Sequence, residues 1–196
     1  MIRNIILAGV GGQGLLALAA VIGEAAMSVG MNVLQAEVHG MAQRGGVVQS
    51  HLRYATEPIH SALVNEGTAH LVLSLEPMEA LRYVPFLAPE GAIVTNTAAF
   101  KNIPDYPDEE AIALEVKAHT QARLIDAPTL AKQAGAIQAA NMVMLGAGSP
   151  FLGMDQEALI HGIRAAFAGK SEAVIETNLR AFQLGLAASE RLAMHP

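Results

Sequence analysis

The chain has no cysteine and no tryptophan among its 196 residues, and the first absence excludes two classes. A disulfide-stapled secreted scaffold needs paired thiols, and an iron–sulfur cluster held by this chain would need thiolates of its own. Charge is also scarce: Asp, Glu, Lys and Arg make up 15% of the residues, against about 25% in an ordinary globular domain. The 18 acids outnumber the 12 Lys and Arg, and the resulting net charge of −6 argues against a general nucleic-acid binder. Hydrophobic residues at 52% exclude disorder. So few charges leave large apolar patches on the surface. Such patches point to partner subunits, and to a homo-oligomer when the chain is isolated.

Uninterrupted apolar runs of membrane length are missing as well. Residues 4–23 and 133–154 carry no formal charge, but Gly9, Gly11, Gly12, Gln13 and Gly14 break the first, and Gln133, Gln138, Asn141, Ser149 and Pro150 break the second. Neither reads as a membrane span, and the glycine-rich continuation of the first does not suit a signal-peptide cleavage region. The chain reads as soluble and cytoplasmic, with no membrane partner.

What is present is an alternation of short apolar runs with helical stretches. The length suits one α/β domain that buries about 70% of its unfolded surface. Residues 5–8 predict a buried parallel strand, 15–29 a buried Ala/Leu-rich helix ending near Gly30, and 32–36 a second strand. Residues 47–54 alternate with period two, the mark of a half-exposed strand. Further strands are expected at 71–75, 92–95 and up to Ile125, with helices beginning near Pro77 and Pro128. Helical patterns fill 138–145, 156–168 and 172–192, with Asp155 and Ser171 as N-cap candidates, while 102–110, with two prolines and four acids, reads as an exposed acidic loop. Strands alternating with helices give an α/β fold, a doubly wound, Rossmann-like and mostly parallel sheet with a C-terminal helical extension. Residues 1–196 are expected to form a single domain, with the sheet core at 1–135 and the extension at 136–196.

Two segments carry chemistry. Gly9-Val10-Gly11-Gly12-Gln13-Gly14 is a G-x-G-x-x-G pattern between a predicted strand and a predicted helix, where backbone N–H groups and a helix N-terminus can face an anion. Glu37, 23 residues beyond Gly14, sits where a ribose-binding acid would lie if the anion were NAD. The alternative is that the glycines only shape a tight turn. The second segment, 37–46, mixes His39, Gln43 and Arg44 with three glycines, and no acid occurs from 38 to 56. The loops after the first and second strands emerge at one carboxyl edge, so Arg44 can join the glycine loop in holding a phosphate or carboxylate; the alternative is that Arg44 pairs with Glu37. His39 and His51 have no metal-ligand spacing and read as ordinary polar residues; no metal site and no catalytic residue is assigned.

Taken together, the opening Ile-Ile-Leu-Ala-Gly-Val-Gly-Gly-Gln-Gly, the loop Glu-Val-His-Gly-Met-Ala-Gln-Arg-Gly-Gly and the following 47–53 resemble the gamma-type domain of 2-oxoacid:acceptor (ferredoxin) oxidoreductases. Within them the resemblance is to the beta subunits of indolepyruvate ferredoxin oxidoreductases. Similar texture recurs at Ser74-Leu75-Glu76-Pro77 and Asn141-Met-Val-Met-Leu-Gly146. The resemblance implies a subunit, inactive alone, of an enzyme that decarboxylates a 2-oxoacid on thiamine diphosphate, passes electrons through iron–sulfur clusters to ferredoxin and forms an acyl-coenzyme A. Thiamine diphosphate and the clusters would reside on a large partner subunit, and ferredoxin would be an indirect partner. Gly9, Gly11, Gly12, Gln13, Gly14, His39, Gln43 and Arg44 would form the cofactor-facing edge, with a coenzyme A contact. Two other readings stay open: an NAD(P)-dependent dehydrogenase, against which stand the lack of a Tyr-x-x-x-Lys pair and of a substrate domain, and a non-catalytic nucleotide-fold scaffold.

Overall fold

In the computed structural model, residues 1–39, 45–101 and 103–194 are described. The strands are β1 (Ile2–Val10), β2 (Asn32–His39), β3 (Val47–Ala55), β4 (Ala69–Ser74), β5 (Leu87–Asn96) and β6 (Ala122–Ile125). The helices are α1 (Leu15–Ser28), α2 (Pro77–Arg82), α3 (Glu109–Lys117), α4 (Ala127–Ala134), α5 (Ala140–Gly148), α6 (Gln156–Ala166) and α7 (Glu172–Met194). Acids start four of them. The side chains of Glu76, Asp108, Asp126 and Asp155 accept from the N–H of Glu79, Ala111, Thr129 and Ala158 at 2.8–3.1 Å, each satisfying an orphan first-turn donor. Part of the expected acidic loop is therefore the beginning of α3, with Glu109 and Glu110 in its first turn, where the helix dipole favours them.

The six strands form one sheet in the order β2-β3-β1-β4-β5-β6. β1, β4, β5 and β6 run parallel, and β3 is the reversed strand, antiparallel to β1 on one side and to β2 on the other. β2 thus points the same way as β1 but lies one strand further out. This is the doubly wound, mostly parallel sheet that the alternation of elements implies, with a hairpin inserted into one half.

Side-chain alternation divides the core. Ile5, Leu7, Leu52, Tyr54, Leu71, Leu73 and Val94 face a thick layer built from α1, α4, α5, α6 and α7, while Ile6, Ala8, Val72 and Ile93 face a thinner one that includes Ala80 of α2 and Val116 of α3. α5 is buried from Asn141 to Gly148, pressed between the sheet and α7. Glycine makes that approach possible: a Cβ on Gly146 would collide with the carbonyl of Phe182, and one on Gly185 with the carbonyl of Val143. Tyr54 crosses from the sheet to this layer, its hydroxyl donating to the carbonyl of Leu152 at 2.6 Å. No helix among the described residues is long and apolar enough to cross a membrane.

Candidate functional site

β1 ends in the glycine loop, and two of its residues need positive φ: Gly12 at +99° and Gly14 at +87°. They need it for different reasons. A Cβ at Gly14 would stand 2.6 Å from Nδ2 of Asn141, whereas one at Gly12 would meet nothing within 4 Å. Gly14 is an interior contact, and Gly12 faces open space. The loop is fastened to the start of β3, because Gly11 donates to the carbonyl of Gly46 at 2.8 Å and accepts from the N–H of Gly45 at 3.4 Å. The two segments singled out in the sequence thus meet at one edge.

α1 follows with no acid in its first turn and, unlike α2, α3, α4 and α6, no side-chain cap. Its leading N–H groups and the positive end of its dipole are left for another acceptor. They open onto a cavity of about 360 Å³ at the carboxyl edge, bounded by Gly12–Gly14, by Ala98–Phe100 after β5, by Ala127 and Pro128 at the start of α4, and by Gln138, Ala140, Asn141 and Met144 around the start of α5. Three helix starts therefore converge on it, at the switch point of the sheet where such clefts bind ligands.

Neutral amides hold this edge together. Gln13 accepts from the N–H of Val10 at 2.7 Å and donates to the carbonyl of Leu75 at 3.2 Å. Asn96 donates to the carbonyl of Leu75 at 3.4 Å and accepts from the N–H of Ala127 at 3.2 Å. Asn141 donates to the carbonyl of Gly14 at 3.3 Å and accepts from the N–H of Met142 at 2.9 Å. Behind the wall, Glu76 and Glu79 are fully buried. Glu76 accepts from the N–H of Phe100 at 3.3 Å and from the Tyr106 hydroxyl, fixing the cavity wall to α2. Burial pushes the Tyr106 phenol up, and the hydrogen bond to Glu76 pushes it further. Burial likewise raises the Glu79 carboxyl, opposed by Arg82, whose Nε lies 3.1 Å away.

Gly9, Gly11, Gly12, Gln13 and Gly14 are thus placed at the cavity or directly behind it, with the Gln13 amide engaged inside the fold. Gln43, Arg44 and the side chain of His39 lie outside the described residues. His51 is buried in β3, its Nδ1 accepting from the N–H of Val64 at 3.0 Å, away from the cavity. Asn96, Asn141 and Phe100 escaped the sequence reading as site residues; the available signal was a lone asparagine closing or opening an apolar run. Glu37 corrects the NAD expectation. It lies on β2 opposite Ser50, which in turn lies opposite Leu7. The intervening β3 sets it two strand spacings, about 9–10 Å, to the side of β1, not beside the glycine loop where a ribose-binding acid belongs. Among the described residues no group of three His, Cys, Asp or Glu side chains converges on a cation position.

Residues 4–188 match the family described as pyruvate ferredoxin/flavodoxin oxidoreductase. The chain belongs to this family. Within the pyruvate ferredoxin/flavodoxin oxidoreductases, it is 38% identical over 196 aligned residues to the indolepyruvate oxidoreductase subunit IorB of Methanothermobacter thermautotrophicus, covering 95% of this chain and 97% of that one. Two solved structures share the fold. The keto/oxoacid ferredoxin oxidoreductase gamma subunit of Geobacter sulfurreducens superposes with a TM-score of 0.71 at 24% identity, over 96% of this chain and 99% of that chain. The 2-oxoglutarate:ferredoxin oxidoreductase of Magnetococcus marinus, solved with 2-oxoglutarate, coenzyme A and succinyl-CoA bound, gives a TM-score of 0.77 at 23% identity. That match covers 97% of this chain but 31% of the longer Magnetococcus chain. The family's fold thus occurs both as a separate subunit and as one part of a larger polypeptide.

Proposed function

We propose that this chain is the non-cluster subunit of a cytoplasmic, thiamine diphosphate-dependent 2-oxoacid:ferredoxin oxidoreductase acting on indolepyruvate-like acids, and that residues 1–196 serve in it as one gamma-type domain. The observation that carries this reading is 38% identity spanning 97% of an indolepyruvate oxidoreductase subunit. Thiamine diphosphate and the iron–sulfur clusters belong to a large partner subunit, since a chain without cysteine has no thiolates for a cluster. Ferredoxin meets the complex through that partner. Alone, the chain turns nothing over and associates with itself through the apolar surface that its sparse charge leaves uncovered.

Its own chemical contribution is to seat the phosphates of coenzyme A, whose thiol, when bound in the complex, takes up the acyl group. An uncapped helix start, an open flank at Gly12 and a cavity of about 360 Å³ supply backbone donors, space and a favourable dipole. Arg44, one residue before the Gly45 that is bonded to Gly11, supplies the guanidinium.

The test is to assemble the chain with its thiamine-binding partner, follow indolepyruvate-dependent reduction of ferredoxin, and titrate the complex with coenzyme A. Losing one charge-assisted contact of about 1.5–3 kcal/mol should weaken coenzyme A roughly 10- to 150-fold in Arg44→Ala. Gly12→Ala, whose new methyl enters the open flank, should weaken it as well. Equal affinities in wild type and both variants would remove coenzyme A from this edge; turnover by the isolated chain would overturn the subunit reading.

A further inference from the structure

Among the described residues β2 is an edge strand. All eight of its residues pair with β3 in unbroken register, and no described strand lies on its other side. Alternate residues of such a strand turn their N–H and C=O groups outward. Natural edges are blunted by short length, charged side chains and above all lysine, proline, a bulge or a covering loop; here the one charge is Glu37. The opposite edge of this sheet, β6, has four residues. β2 has eight, Asn-Val-Leu-Gln-Ala-Glu-Val-His, with no lysine and no proline. Its Leu34, Ala36 and Val38 lie on the sheet face where, among the described elements, α2 and α3 pack over β1, β4, β5 and β6; Leu34 and Ala36 are half-buried there. Val38 is 54% exposed, and Val47, two residues along β3 from its partner Gln49, is 37% exposed.

We propose that two copies of this chain join antiparallel through their β2 edges, about a two-fold axis at Ala36, continuing the sheet from one molecule into the next. The register follows from the residues. Directly opposite residues in a sheet share a face, so a two-fold axis must pass through a residue facing its own copy. An axis at Glu37 would pair only five of the eight residues, 35–39, and leave Leu34 without a counterpart in the strand. An axis at Gln35 would set Glu37 against Val33 and Asn32 against Val38. An axis at Ala36 sets Glu37 against Gln35 twice and Leu34 against Val38 twice, with Ala36 meeting its own copy. That register pairs seven of the eight residues, 33–39, and sets apolar against apolar on the more open face. This inference rests on the self-association proposed above and names the surface responsible.

The test uses the full chain, which has no native cysteine to interfere. Sedimentation velocity of the wild type should give twice 20.5 kDa, and Val38→Lys, a change on an exposed side chain, should give the monomer. Under mild oxidation, read on a non-reducing denaturing gel, Ala36→Cys should become a disulfide-linked dimer, while Gln35→Cys, whose two copies stand diagonally at about 7–8 Å, should run as the monomer. A monomeric wild type overturns both the self-association and this interface. A wild-type dimer that Val38→Lys leaves intact overturns the interface alone. Cross-linking by Gln35→Cys in place of Ala36→Cys overturns the register.

Discussion

Gln13 is the residue on which a binding role and a structural role can be separated. Gln13→Met keeps the side-chain length and removes both polar atoms. The carbonyl of Leu75 keeps a partner, the Asn96 amide at 3.4 Å. Val10, 2% exposed, loses the acceptor that its N–H meets at 2.7 Å. The cost is dominated by that orphaned donor, about 1–3 kcal/mol. At about 2–4 °C per kcal/mol for a chain of this size, the melting temperature should fall by about 2–12 °C, read by far-UV circular dichroism and checked by the urea midpoint. Gln13→Glu retains an acceptor for Val10 but turns a second oxygen toward the Leu75 carbonyl. Its deficit should shrink in acid, where the protonated carboxyl donates again. The reasoning fails if Gln13→Met melts like the wild type yet loses affinity for coenzyme A, because the amide would then be a ligand contact and not a brace.

His51 and His70 accept backbone N–H groups at Nδ1 from Val64 and Asn4, at 3.0 and 3.1 Å, and burial holds both below the ordinary histidine value, with the Arg3 charge adding to the effect at His70. The unfolded chain takes up these protons near pH 6.5 and the folded chain only lower. Stability is therefore full above about pH 6.5 and declines as the pH falls from there toward the depressed folded values. Urea midpoints at pH 7.5 and 5.5 should differ less in the double variant His51→Asn/His70→Asn than in the wild type; an unchanged difference would refute the assignment. The variant comparison is needed because the raised Glu79 carboxyl acts in the opposite sense, losing stability as pH rises through its own window. Gly185→Ala should cost about 1–3 kcal/mol by overpacking α7 against the Val143 carbonyl. The control Gly169→Ala, which meets nothing within 4 Å, should melt within a degree or two of the wild type; equal melting of the two variants would show that the helices part without cost.

Much of this was legible in the residues, and the misses have physical causes. The buried run of β1 and the Ala/Leu content of α1 announce themselves because a central strand and its covering helix are apolar nearly all round. α3 was hidden. Its buried positions, Ile112 and Val116, show helical spacing, but Leu114 between them is 68% exposed and blurs it. The acids that read as a loop are its cap and first turn. The position of β3 could not be read, since period-two alternation reports which faces a strand presents and not which neighbours it takes. That one fact moved Glu37 away from the glycine loop. At the site, glycine spacing marked the loop, but Asn96 and Asn141 are single polar residues whose partners lie far along the chain, and only the fold shows what they join.

The inserted hairpin has a consequence for the order in which the molecule is made. A β1-α1-β2 unit usually lays its second strand directly against its first, so that the pair holds from the moment it is synthesised. Here the crossover leaves an empty lane, and β2 has no neighbour until β3 arrives to fill it. β2 can therefore join the sheet only through β3. The hydrogen bonds between Gly11 and the Gly45–Gly46 turn continue the pairing of β3 with β1. Pairing of β3 with β1 and fastening of the anion-facing edge thus belong to one continuous ladder. A substitution that slows the hairpin therefore delays the site as well, however far it lies from the cavity.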